Sequence, residues 1–186
     1  MPERSTIHVE PAVTPADIDA AAARIGSHVR VTPVLQVDAA ELDLPYTTSH
    51  PVTLKLELLQ HVGSFKPRGA FNRVLAAGEL PAAGLVAASG GNHGAAVAFV
   101  AQRLGVAAEI FVPSSSPTMK RDRIAALGAT VHVIDGLYDD AQAAATAHQL
   151  TTGALAVHPF EHPHVVAGQG TMARELERQV ASFDTV

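Results

Sequence analysis

Leu85-Val86-Ala87-Ala88-Ser89-Gly90-Gly91-Asn92-His93-Gly94-Ala95-Ala96-Val97-Ala98-Phe99-Val100 is the stretch on which the fold turns. Residues 85–88 read as a short buried strand, the glycines at 90, 91 and 94 mark a tight turn, and the small residues from Ala95 predict a helix. The same unit recurs toward the C-terminus. Strands are predicted to begin near Leu85, Ala108, Thr130 and Ala154, spaced 23, 22 and 24 residues apart, with a helix between each pair. Those helices end on Gly105, Gly128 and Gly153, as left-handed caps would. Strand and helix alternating at this period call for a parallel sheet with right-handed crossovers and helices on both faces, so the fold class is α/β. Ligands of such sheets collect at the carboxyl ends of the strands, where the Ser89 turn lies.

Toward the N-terminus, residues 1–13 read as a loose polar lead. Thr14-Pro15-Ala16-Asp17 then opens a helix running to about Gly26, with a capping threonine, proline in the first turn and an acid near the positive end. Thr32–Val37 is expected to be a short strand, Asp43–Pro51 a loop, Val52–Leu59 a strand, and Pro67–Ala77 a helix ending near Gly78. Residues 84–158 are assigned to a small α/β domain. Residues 1–83 and 159–186, including a last helix from Thr171 to Val180, are assigned to parts of a larger domain.

The chain has three lysines, which narrows the search for a nucleophilic amine. Lys55 lies in the alternating run Val52–Leu58, which puts Lys55 and Glu57 on one solvated strand face. Lys120, beside Arg121, Asp122 and Arg123, reads as an exposed helical turn. Lys66 stands in Gly63-Ser64-Phe65-Lys66-Pro67-Arg68-Gly69-Ala70, and Pro67 suits the first position of a helix. An ammonium at that cap meets free N–H groups and the positive end of the dipole, which lowers the amine's pKa as Schiff-base chemistry requires. The same run also fits an ordinary helix start, and residues 63–70 alone do not separate the two.

The Ser89–Gly94 turn combines backbone that can approach a ligand closely with N–H groups at a helix N-terminus, a geometry suited to a carboxylate or phosphate. It does not match Gly-x-Gly-x-x-Gly or a phosphate loop, and tight packing would explain its glycines as well. Asn92 can donate from its amide to a phenolate oxygen. A histidine such as His93 is more often a structural hydrogen-bonder than an acid or base.

These two runs, with His158-Pro159-Phe160 and Ala167-Gly168-Gln169-Gly170-Thr171, resemble the threonine/serine dehydratase family, pyridoxal-phosphate enzymes of the tryptophan-synthase-β fold type that include serine racemases. The resemblance runs from about Thr32 to the last residue. It implies that Lys66 forms the Schiff base with pyridoxal 5'-phosphate and takes the Cα proton of the substrate. It further implies that Phe65 packs beside the cofactor ring, that Asn92 bonds its 3-oxygen, and that Ser89, Gly90, Gly91, Asn92 and His93 hold the substrate carboxylate. The implied reaction is β-elimination and deamination of threonine or serine to a 2-oxo acid and ammonia, in a full-length form that is a homo-oligomer.

Racemases of the group carry a serine at the position of Gly90, so the resemblance favours dehydration over racemisation. The family's glycine-rich phosphate cup and its contact to the pyridine nitrogen would lie beyond Val186. The large domain is therefore expected to be incomplete, and an inert fragment acting only in binding or oligomerisation is the alternative from another class.

Composition excludes several other functions. A formal charge of −5 argues against nucleic acid as a partner, and the absence of cysteine excludes disulfides and thiolate metal sites. No run of about 18 apolar residues and no basic-then-apolar leader is present, which leaves the cytoplasm as the default location. His158, His162 and His164 invite a metal reading, but Pro159 and Pro163 impose an extended path and no second ligand cluster follows, so no metal is expected. Arg121 and Arg123 are read as a solvated helix face, with Ser114–Ser116 capping the helix after Pro117.

Overall fold

The computed structural model describes residues 13–42, 52–183 and 185. The polar lead up to residue 12 and the expected loop from Asp43 to Pro51 lie outside the described residues. Four parallel strands, β3 (Leu85–Ala88), β4 (Ala108–Pro113), β5 (Thr130–Ile134) and β6 (Leu155–Ala156), form a sheet in the order β5-β4-β3-β6. β1 (Val34–Val37) and β2 (Val52–Lys55) make a separate antiparallel pair.

The two faces of the sheet follow from the period of two along each strand. Leu85, Ala87, Ile110 and Val112 face α3 (Asn92–Leu104) and Ile124 of α4 (Thr118–Ala126). Val86, Ala88 and Phe111 face Ala141 and Ala145 of α5 (Tyr138–Thr152). Helices thus cover both faces, as the repeating strand-helix pattern requires. Gly105, Gly128 and Gly153 all have positive φ at or just beyond helix ends, so the three left-handed stops predicted from sequence are present.

Helix α1 (Pro15–Ile25) starts in a capping box: Asp17 N donates to Thr14 Oγ1 while Thr14 N donates to Asp17 Oδ2. Ile25 of α1 and Ala70, Phe71 and Val74 of α2 (Lys66–Leu75) join the core on the α3 side of the sheet. The last helix, α6 (Pro163–Gln179), begins eight residues before the expected Thr171. Pro163 occupies the first turn and His162 accepts a hydrogen bond from His164 N, so a stretch expected to be loop is helix.

The run from Ala167 to Thr171 therefore lies inside a helix, and its glycines are there for packing. A Cβ on Gly168 would come within 2.5 Å of Arg68 O and 2.7 Å of Gly69 Cα, and one on Gly69 within 2.5 Å of Gln169 Nε2. The two glycines let α2 and α6 cross at close range.

Three further expectations are corrected. The strand from Val52 ends at Lys55, and Glu57–Leu59 forms a 3₁₀ turn. Lys55 and Glu57 are not on a solvated face: the Lys55 side chain is 8% exposed and pairs with Glu175 at 2.8 Å, while Glu57 is buried against Arg68. No serine side chain caps α4, whose start at Pro117 carries no such hydrogen bond.

Candidate functional site

Lys66 is the first residue of α2, and Phe65 holds the capping position. Its Nζ donates to the carbonyl of Pro159 at 2.8 Å and lies 5.2 Å from the centre of the Phe65 ring. Among the described residues it forms no ion pair, in contrast to Lys55. Burial pushes the Lys66 amine below the ordinary lysine range. The direction agrees with the sequence reading, but the cause is desolvation rather than the helix end.

Arg68, two residues further along α2, is fully buried and anchors this helix. Its guanidinium donates to both oxygens of Glu57 at 2.8 Å and to both oxygens of Glu175 at 2.7 and 3.0 Å. Thr32 Oγ1 completes Glu57, and Lys55 Nζ completes Glu175 while also donating to Thr32 O and Gln179 Oε1. Two cations balance two carboxylates, the condition under which burying them is tolerable. Burial raises the Glu175 carboxyl, but the bonds from Arg68 and Lys55 outweigh it and leave the group below the usual range. The network straps the start of α2 to β2 and α6, and so sets where Lys66 stands.

The second run forms the turn between β3 and α3. Ser89 N donates to Phe111 O, extending the sheet, and Ser89 Oγ accepts from Gly91 N at 3.2 Å. Asn92 opens α3 and is exposed. His93 is 3% exposed, and its Nε2–H donates to Val157 O at 2.7 Å. The carbonyl partner fixes the tautomer, leaving Nδ1 buried without a partner among the described residues. Burial, reinforced by Lys66 and His158 and opposed by the Val157 bond, pushes His93 down to about 4, so the ring is neutral at physiological pH.

Lys66 and His93 therefore meet on one short segment. The carbonyls that hold them, Val157 and Pro159, stand two residues apart just past β6, at the carboxyl end of the sheet. His158 is engaged locally, with Nδ1 accepting from Phe160 N and Glu161 N.

Gly90 does not leave an empty space. Its φ is not positive, so the requirement is steric: Ser116 Oγ fills the place of its missing side chain. Gly94 is equally constrained, since a Cβ there would strike Ser89 O and approach Ile124 Cδ1 at 3.0 Å.

Sequence reasoning missed the Arg68–Glu57–Glu175–Lys55 network and Ser116. Arg68 lies inside the run that singled out Lys66, but charge alone does not tell a buried guanidinium from a surface one. The residues present suit a carbonyl-bearing, anionic cofactor. Among the described residues the Lys66 amine has no carboxylate partner and the buried Ser64 Oγ, two residues before it, has no hydrogen-bond partner, while the Ser89 turn opens an α-helix N-terminus.

Comparisons with known proteins agree with this reading. A family model described as "Pyridoxal-phosphate dependent enzyme" matches residues 25–186. The chain is 42% identical to an L-threonine ammonia-lyase of Thermotoga maritima over 144 residues, which is 77% of this chain and 36% of that protein. It is 35% identical to a serine racemase of Oryza sativa subsp. indica over 89% of this chain and 48% of that protein. Among solved structures, a pyridoxal 5'-phosphate-dependent aspartate racemase superposes with a TM-score of 0.86 at 32% identity, covering 95% of this chain and 54% of that one. The chain thus spans less than half the length of these curated relatives. With nearly its whole length matched and its lysine and glycine turn held at one end of a parallel sheet, the chain belongs to the pyridoxal-phosphate dependent enzyme family.

Proposed function

We propose that this chain carries the lysine and the carboxylate turn of a pyridoxal-phosphate-dependent ammonia-lyase acting on threonine or serine. The observation that carries the reading is that a partly desolvated Lys66, without an ion pair among the described residues, and His93 of the Ser89–His93 turn both donate to carbonyls of the Val157–Pro159 segment. The likeness to a threonine ammonia-lyase supports the reaction class. Residues 84–158 are proposed as the small domain, with 1–83 and 159–186 contributing to a larger one.

Lys66 would hold the cofactor through its amine, Phe65 would flank the ring, and Asn92 would donate to its phenolic oxygen. Bound pyridoxal phosphate supplies an electron sink for negative charge at the substrate Cα. Lys66, once displaced by the substrate's amine, would accept the Cα proton at Nζ; desolvation lowers the pKa of that amine, which favours the unprotonated form the step needs. N–H groups of the turn at the start of α3 would grip the substrate carboxylate and orient the Cα–H bond. His93 would position the segment under Lys66 without exchanging protons, because its ring is neutral and its N–H is committed to Val157.

Amino-acid racemisation is the second reading, favoured by the aspartate racemase likeness and by the Ser116 hydroxyl standing at Gly90. The test is to add pyridoxal phosphate to the 186-residue chain and record the visible absorbance of wild type and Lys66→Ala, then assay products from L-threonine and L-serine. A lysine-dependent band with 2-oxo acid and ammonia supports the lyase. D-amino acid without 2-oxo acid supports racemisation. No band at saturating cofactor overturns both and favours a chain that acts only in binding or assembly.

A further inference from the structure

Ser116 Oγ lies in the space that a side chain on residue 90 would occupy, and Ser116 Cβ is 2.7 Å from the Cβ position itself. This hydroxyl is not committed elsewhere. Although Ser114–Ser116 precede α4, that helix start takes no side-chain cap. Ser114 Oγ turns away to Asp135 Oδ1 at 3.4 Å. Ser116 N donates to Pro113 O at 2.9 Å, which fixes the backbone of the turn. Among the described residues the Ser116 hydroxyl itself forms no hydrogen bond. Because β3 and β4 are parallel neighbours, the turns that leave their carboxyl ends lie side by side, and a group from the second stands inside the first.

We infer that Ser116 is a further substrate-binding residue: its hydroxyl, delivered from the β4–α4 turn into the volume left open by Gly90, donates a hydrogen bond to the carboxylate held by the Ser89–His93 turn. This rests on the reading of that turn as the carboxylate site. The turn offers backbone N–H groups, but Gly91 N is committed to Ser89 Oγ, which leaves the turn one backbone donor fewer for a carboxylate. Gly90 supplies no side chain, and Ser116 places a hydroxyl there from the turn after β4. Residues 90 and 116 are then mutually exclusive, because only one of them can project a side chain into that space.

Two measurements test this. In thermal unfolding of the chain without cofactor, Gly90→Ser lowers the midpoint by several degrees and adding Ser116→Gly restores most of it; no effect of Gly90→Ser would overturn the juxtaposition. In calorimetric titration of L-serine and L-threonine into the chain loaded with pyridoxal phosphate, Ser116→Ala weakens binding about tenfold or more, as loss of a hydrogen bond to a charged group does, while Ser116→Thr stays within about threefold. Unchanged affinity in Ser116→Ala overturns the proposal and leaves the lyase reading standing. If the wild-type chain binds neither amino acid although Gly90 and Ser116 are coupled in unfolding, the carboxylate-site reading fails and this proposal fails with it.

Discussion

The Lys66 ammonium is held by the carbonyl of Pro159 at 2.8 Å, on the same segment whose Val157 carbonyl holds His93. A carbonyl offers a proton donor one neutral partner and no counter-charge. The amine is thus oriented without an ion pair among the described residues, and burial lowers its pKa.

One consequence concerns reactivity. Acetylation of the chain by a small anhydride, followed across pH by peptide mass spectrometry, should give Lys66 a pH midpoint below the ordinary lysine range. A midpoint at the ordinary value would remove the physical basis for a neutral nucleophile.

His93 should make the protein acid-sensitive. The folded ring takes up a proton only near pH 4, whereas an unfolded histidine does so near 6.5, so between these values the unfolded chain binds more protons. Stability is full above about pH 6.5 and falls toward pH 4, by on the order of 3 kcal/mol from this group. His93→Gln keeps a donor for Val157 but cannot titrate, so its urea-unfolding free energy should fall less over that range. A residual slope will persist, because His61, His162 and His164 are also lowered.

Removing Arg68 leaves the buried Glu57 without a cation and leaves Glu175 with Lys55 alone. Arg68→Met should destabilise the chain by about 3–5 kcal/mol in denaturant titration, the usual cost of breaking a buried ionic group by deleting one partner. Adding Glu57→Gln and Glu175→Gln should recover part of that loss. Failure to recover any would show that packing, not charge, explains the requirement for arginine.

Gly168→Ala should force α2 and α6 apart, since its methyl would meet Arg68 O and Gly69 Cα. The expected cost is about 1–3 kcal/mol, typical of overpacking. The same variant should also weaken cofactor uptake, because α2 carries Lys66. Normal stability and normal uptake together would place the crossing elsewhere.

The α/β class, the strand starts of the sheet and the three left-handed helix stops are legible in the linear order of residues. Each rests on local physics, namely apolar period, glycine φ and capping chemistry, which a short window of sequence contains. Lys55 and Glu57 were misread as solvent-facing, because alternation along a strand says nothing about what covers the second face. Gln169 and its flanking glycines resemble loop in the sequence for a similar reason: glycines in a helix look like breakers until the partner helix they accommodate is seen.

What the residues alone determined, then, is the alternating α/β frame and the family resemblance carried by the two glycine-containing runs. Only the tertiary structure decided that Arg68 sits between Glu57 and Glu175, that Lys66 and His93 share one carbonyl-bearing segment, and that Ser116 fills the space at Gly90. Those contacts join residues from 11 to 107 positions apart in the chain. Charge balance and steric exclusion at such separations exist only once the sheet and helices have packed.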